Sequence, residues 1–244
     1  MSTQLGDRRI PVAVAETIAA ATGRAERHDP VAARTGGPAG NALLSAWVGV
    51  VLLALFVAEL LTLFDVHGLI TWHVAIGALL IPPALAKTAS TGWRIVRYYA
   101  GNRAYQHAGP PPLLLRVLGP LVVVTTLALL ASGVVLVALG QDASRQTLMA
   151  FLGFRADWIT VHQAAFIGWA AATGLHVLGR LLPALRLVGG RIRGGSTVPG
   201  TALRLGMLAL ATATAVLAAV LLVRADGSWH ADEHFEGSPP AAVR

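Results

Sequence analysis

The sequence predicts an all-α fold, a polytopic membrane bundle of five transmembrane helices. Three observations carry that prediction. Hydrophobic residues make up 55% of the 244-residue chain and charged residues only 13%, against about 25% charged in a soluble domain. Mean hydropathy is +0.64. The apolar residues also gather into five long runs, each near the roughly 20 residues that about 30 Å of hydrocarbon requires. A soluble enzyme built on one buried core is excluded by that pattern.

Taken in order, the chain opens on some forty residues in which Arg8, Arg9, Arg24, Arg27 and Arg34 are scattered among Ala, Gly and Pro. With no apolar core of a signal peptide, this reads as a mostly disordered arm with a short helix near Val14–Ala21. The spans are expected near Ala42–Phe64, Ile70–Ile95, Leu118–Leu139, Trp158–Leu182 and Ala202–Val223. Pro82-Pro83 should kink the second span and free backbone carbonyls. The loop from Arg97 to Arg116 holds Tyr98, Tyr99, Tyr105 and Pro110-Pro111-Pro112. It reads as an interfacial aromatic and basic anchor. The acidic tail carries His230 and His234 and reads as a solvated segment, with metal binding or partner docking as the alternatives.

The basic residues set the orientation. Arginines at 8, 9, 24, 27, 34, 94, 97, 103, 116, 180, 186, 191, 193 and 204 fall on one side, against Arg145, Arg155, Arg224 and Arg244 on the other. The positive-inside rule then places the N-terminus in the cytoplasm and the C-terminus outside a plasma membrane crossed several times. The net charge of +7 and pI near 11.2 report topology, and no nucleic-acid partner is expected, because no compact basic domain exists to bind one. Lipid is the expected surroundings. The chain has no cysteine. That excludes disulfides, Cys-ligated iron–sulfur clusters, thioether-attached haem and thiolate zinc.

Ionisable residues inside spans are costly and mark functional positions. His73 opens the second span in Ile70-Thr71-Trp72-His73, and His162 opens the fourth in Trp158-Ile159-Thr160-Val161-His162. Both spans run the same way, so the two histidines share a depth near the outer surface. His176 follows His162 by fourteen residues, about 21 Å along a helix and within roughly 40° of the same face. The same step from His73 reaches Lys87. The spans thus repeat as helix pairs, which would bring the second and fourth face to face, as in the parallel repeats of transporters. Two facing histidines without a cysteine or carboxylate cluster suit axial ligation of haem iron. The alternative is two interior histidines bonded to carbonyls or water. For His176 and Lys87 the choices are a second haem, or a lysine that snorkels while His176 bonds a carbonyl. Arg180, with Arg94 and Arg97, either meets haem propionates and quinone oxygens or anchors the inner ends. Glu59, with Asp65 and His67 in the outer loop, is a proton-relay candidate, or else a Glu that reaches the interface or a neighbouring helix.

An outer His on one helix with His-x13-His on another resembles the bacterial cytochrome b561 family and the b-type subunits of membrane hydrogenases and formate dehydrogenases. The resemblance covers roughly residues 42–182. It implies a four-helix haem-binding core with haem b as cofactor, His73, His162 and His176 as ligands, and electron transfer between quinone and a partner oxidoreductase. The family's fourth histidine has no counterpart in the first span, which reads Ala42-Leu43-Leu44-Ser45-Ala46-Trp47 at its inner end. That departure bears on a second, inner haem and leaves the outer one intact. It divides the chain into a cytoplasmic arm (1–40), a cytochrome b-like core (41–184), a cytoplasmic loop and fifth span (185–224) and an extracytoplasmic tail (225–244). An electron-transfer subunit fits this division better than a stand-alone enzyme, alone or in a homo- or hetero-oligomer. A proton- or ion-coupled transporter and a haem-free structural subunit stay open as other functions.

Overall fold

The computed structural model describes residues 11–22, 24, 29–151, 153–192, 198–227 and 229. The tail histidines His230 and His234 lie outside them. A short helix α1 (Val12–Ala21) precedes α2 (Gly37–Thr62), which ends in a 3-10 turn over Leu63–Asp65. Then come α3 (Ile70–Tyr99), the one-turn α4 (Arg103–Ala108) and α5 (Leu113–Ser144). A hairpin of β1 (Met149–Phe151) and β2 (Phe154–Ala156) leads to α6 (Trp158–Ile192) and α7 (Thr201–Ala225). Helices α2, α3, α5, α6 and α7 are each long and apolar enough to cross a membrane, so the chain is a multi-pass membrane bundle. Exposed Ile167, Leu178, Val124 and Leu210 on their outer faces meet lipid.

The local chemistry explains the boundaries. Gly36 takes a left-handed φ of 76° just before α2, and Pro38 sits in the first turn, where its missing N–H costs nothing. Gly140, with φ 77° and ψ 174°, breaks α5 one residue beyond the expected end of that span. The Asp157 carboxylate caps α6 by accepting from the Thr160 N–H and hydroxyl, both at 2.7 Å. Helix α6 runs ten residues past its expected end, through Pro183, to Ile192. Pro82 and Pro83 lie inside α3, whose helical run is continuous from Ile70 to Tyr99. Their missing N–H groups withdraw the usual donors from the carbonyls of Ala78 and Leu79.

Helices α2, α3, α5 and α6 form a four-sided bundle with neighbours α2–α3, α3–α5, α5–α6 and α6–α2. Helices α3 and α6 therefore stand on a diagonal and face each other across the axis. Helix α7 packs outside this square, chiefly on α3, and α1 lies against α5 and α6. The helix expected within the N-terminal arm is thus docked on the bundle. Buried Val48, Leu52, Leu80 and Ala84 form a core that Phe56, Leu130 and Leu208 pack against.

In lipid, apolar burial gives helices no net drive to associate, so packing and polar ties must supply it. One such set joins α2 to α3. Asn41 donates to the Ser90 carbonyl at 2.9 Å and to its hydroxyl at 2.8 Å, and Ser45 meets the same hydroxyl at 2.8 Å. Each tie of this kind contributes about 0.6 kcal/mol on average, so three together outweigh any one. At the same end Arg94 holds Asp29 at 2.7 Å. Buried Arg204 at the start of α7 donates to the carbonyls of Val198 at 2.7 Å and Thr35 at 3.2 Å. A Cβ on Gly40 would come within 2.5 Å of that guanidinium, so glycine there is a packing requirement.

Candidate functional site

The diagonal of the bundle brings His73 of α3 and His162 of α6 together. Their ring centres are 6.3 Å apart and their planes stand at 86°. Each histidine lies within the first five residues of its helix, so both occupy one end of the bundle. The equal depth expected from the sequence is therefore met in space.

Both rings are held the same way from a neighbouring helix. Thr62 of α2 donates its hydroxyl proton to the Glu59 carbonyl at 2.6 Å and stands 2.9 Å from His73 Nδ1. Ser132 of α5 donates to the Leu129 carbonyl at 2.9 Å and stands 2.9 Å from His162 Nδ1. A hydroxyl that has spent its proton on its own helix can only accept from the ring. The network therefore assigns the proton of each imidazole to Nδ1 and the lone pair to Nε2. Every side-chain contact found at the two rings is made at Nδ1. The Glu59 carboxylate adds a second acceptor, with Oε1 3.0 Å from His73 Nδ1. Glu59 and Thr62 sit three residues apart, which puts both on one face of α2.

The two rings border a cavity of about 310 Å³. Leu63, Val66, Ile70 and Ile159 surround it at the histidine end, and Phe56, Leu80, Ile81 and Trp169 close it toward the middle of the bundle. Phe56 and Trp169 pack with ring centres 4.6 Å apart, forming an aromatic floor. Glycine makes room for the rings. A Cβ on Gly133 would stand 3.3 Å from His162 Cε1, and Gly77 follows His73 by one turn on the same face. Helix α7, outside the four-helix square, still reaches the cavity through Leu222, and Trp229, four residues past its end, lines it too.

The donor set is specific in what it can hold. Metal–imidazole bonds of about 2 Å on opposite sides of one ion place ring centres roughly 6 Å apart, which the 6.3 Å separation matches. Such bonds fix the direction of each lone pair and leave the ring's twist about it free, so perpendicular planes are allowed. Among the described residues no group of three or more His, Cys, Asp or Glu side chains is placed to share an ion. Structural zinc takes four protein ligands. The donor set at this end of the apolar slot is thus the two imidazoles of His73 and His162.

The remaining sequence-derived residues fall into two groups. Lys87 donates to the Ser45 carbonyl at 2.8 Å, lies over Gly49, and is near enough to Arg180 for their charges to interact. His176 feels both cations, and its buried Nδ1 has no hydrogen-bond partner among the described residues. These three residues meet toward the arginine-rich end of the bundle, beyond the cavity floor at Ile81 and Trp169. Arg94 is taken by Asp29, and Arg97 lies over the rings of Trp93 and Tyr105 at 5.4 and 6.0 Å, so both anchor that end. His67 is exposed in the turn after α2 and does not line the cavity. Asp65 there accepts from the Gly68 N–H at 3.0 Å.

Sequence reasoning missed Thr62, Ser132, Gly133, Trp169 and Trp229. A hydroxyl or glycine inside an apolar span is a usable signal for the first three, yet nothing in the sequence pairs them with a particular histidine. No family model, no curated protein and no solved structure matches the chain.

Proposed function

We propose that the protein is a membrane b-type cytochrome of the cytochrome b561 type, carrying electrons between a quinone pool and a partner oxidoreductase. The observation that carries this reading is the opposed pair His73 and His162, whose rings are 6.3 Å apart with both Nδ1 atoms already engaged. Metal-bound histidine nearly always donates its other N–H to an oxygen, which fixes tautomer and ring orientation. Thr62, Glu59 and Ser132 stand where that role requires. Haem b bound through the two Nε2 atoms would supply a one-electron iron couple. Phe56, Phe166 and Trp169 exclude water from one side of the cavity, and a low local dielectric is one of the protein's levers on redox potential.

We take one haem per chain. Lys87 already ties α3 to α2 through Ser45, so its role is a strut, and Arg180 and His176 belong to the same anchored end. Glu59 serves His73 as an acceptor in this reading. The arginine-rich end faces the cytoplasm of a plasma membrane, with Arg94, Arg97, Arg103, Arg116, Arg180 and Arg186 as support.

The test is the absorbance of protein purified from haem-replete cells. Six-coordinate b-type Soret and α bands are expected, and His73→Ala or His162→Ala should each abolish the low-spin spectrum while the chain still assembles. A colourless wild-type preparation removes the reading.

A further inference from the structure

Helix α7 lies outside the four-helix square, yet its last turns return to the cavity. Leu222 and Trp229 line the slot beside Leu63, Val66, Ile70 and Ile159, which all belong to the end of the bundle where α3 and α6 begin. Trp229 is therefore at the cavity's mouth, on the side nearest bulk water. Its indole Nε1 is buried and has no hydrogen-bond partner among the described residues. A buried donor left unmade costs about 1–3 kcal/mol, and tryptophan in such a place ordinarily finds an acceptor. The cavity wall around it is apolar apart from the histidines, Glu59, Thr126 and Gln163, and Asp226, buried three residues earlier, does not line it.

A second indole borders the same cavity. Trp169 is 5% exposed and its Nε1 also lacks a partner among the described residues, but it sits on the floor, toward the middle of the bundle. The two donors are not equivalent for a ligand bearing carboxylates. An ionised carboxylate is costly at the centre of a bilayer and far cheaper near its surface. The acidic edge of a bound ligand is thus expected at the mouth, beside Trp229.

We propose that Trp229 closes the mouth of the His73–His162 cavity and donates its indole N–H to a carboxylate on the edge of a porphyrin-sized ligand. The fifth helix then has a binding role, as the carrier of this latch. The inference rests on the b-type cytochrome reading, and it adds a residue that follows the fifth span, outside the resemblance.

The full-length protein, stripped of haem in detergent, is reloaded with protohaem or with its dimethyl ester, which keeps the ring and iron but has no free carboxylate. Loss to excess apomyoglobin is followed by absorbance. Trp229→Phe keeps the ring and removes the N–H. It should speed protohaem loss about tenfold, the size of a hydrogen bond to a charged acceptor, and leave loss of the dimethyl ester as in wild type. Trp169→Phe makes the same deletion on the floor and should affect both ligands equally. Equal effects of Trp229→Phe on both ligands, no effect on either, or a protohaem-specific effect only in Trp169→Phe would each overturn the proposal. If wild type binds protohaem without a six-coordinate spectrum, or not at all, the cytochrome reading falls and takes this inference with it. A normal wild-type spectrum with a flat comparison removes the latch alone.

Discussion

Ser132 Oγ stands 2.9 Å from His162 Nδ1 while giving its own proton to the Leu129 carbonyl. The hydroxyl is thereby an obligate acceptor, and the imidazole is held with Nε2 unprotonated. Thr62 does the same for His73, from the helix diagonally opposite Ser132.

If His73 and His162 hold haem as proposed, removing these acceptors should loosen it without disturbing the bundle. Ser132→Ala is expected to weaken haem retention about tenfold, the low end of the range for lost outer-shell partners. Thr62→Val should cost less, because Glu59 Oε1 remains 3.0 Å from the same nitrogen. Haem dissociation rates of the two variants check the order, and a greater loss in Thr62→Val would contradict it.

Gly133 separates stability from binding. An added Cβ would sit 3.3 Å from His162 Cε1, tight enough that the ring must shift. In a helix, however, alanine is favoured over glycine by about 1 kcal/mol. Gly133→Ala should leave thermal stability of the apoprotein equal or higher, and Gly133→Val should abolish the low-spin spectrum. Paired melting and absorbance measurements test both halves.

Lys87 is assigned as a strut between α2 and α3. Lys87→Met is expected to leave the ratio of haem to polypeptide unchanged and to lower the melting temperature modestly, in keeping with the about 0.6–1.7 kcal/mol of an interhelical hydrogen bond in a membrane. A pyridine haemochrome assay gives the ratio. A drop in haem content would instead make Lys87 a ligand.

Asp157 gives a pH dependence outside the membrane. The Thr160 N–H and hydroxyl hold its carboxyl below the ordinary value of 3.8. Its stabilisation is present above the unfolded-state pKa and is lost as pH falls through the lowered folded one. Solvent screens the site, so the cap itself sets the size of the effect, about 0.5–2 kcal/mol for Asp157→Ala. Melting curves of wild type and Asp157→Ala should differ at pH 7 and converge below the folded pKa. A constant difference down to pH 2 would count against the cap.

Much of the architecture was legible because lipid imposes a length on every apolar run. The five spans, the end of the third near Leu139 and the equal depth of His73 and His162 all follow from hydrophobicity and counting. The extension of α6 to Ile192 was not, since hydropathy falls where the helix leaves the apolar region and the backbone continues regardless. The docked α1 was also hidden, because its neighbours on α5 and α6 are distant in sequence.

What the sequence by itself determined is a five-span membrane bundle with two histidines at one level and an arginine-rich opposite end. A run of apolar residues has one low-energy arrangement in hydrocarbon, and that arrangement fixes depth. Rotation and neighbour choice carry no such one-dimensional signature. Only the tertiary structure decided that α3 and α6 share a diagonal, that Thr62, Glu59 and Ser132 stand behind the imidazoles, and that Trp229, just past the end of α7, lines the cavity. Those contacts depend on how side-chain faces pack once the helices meet.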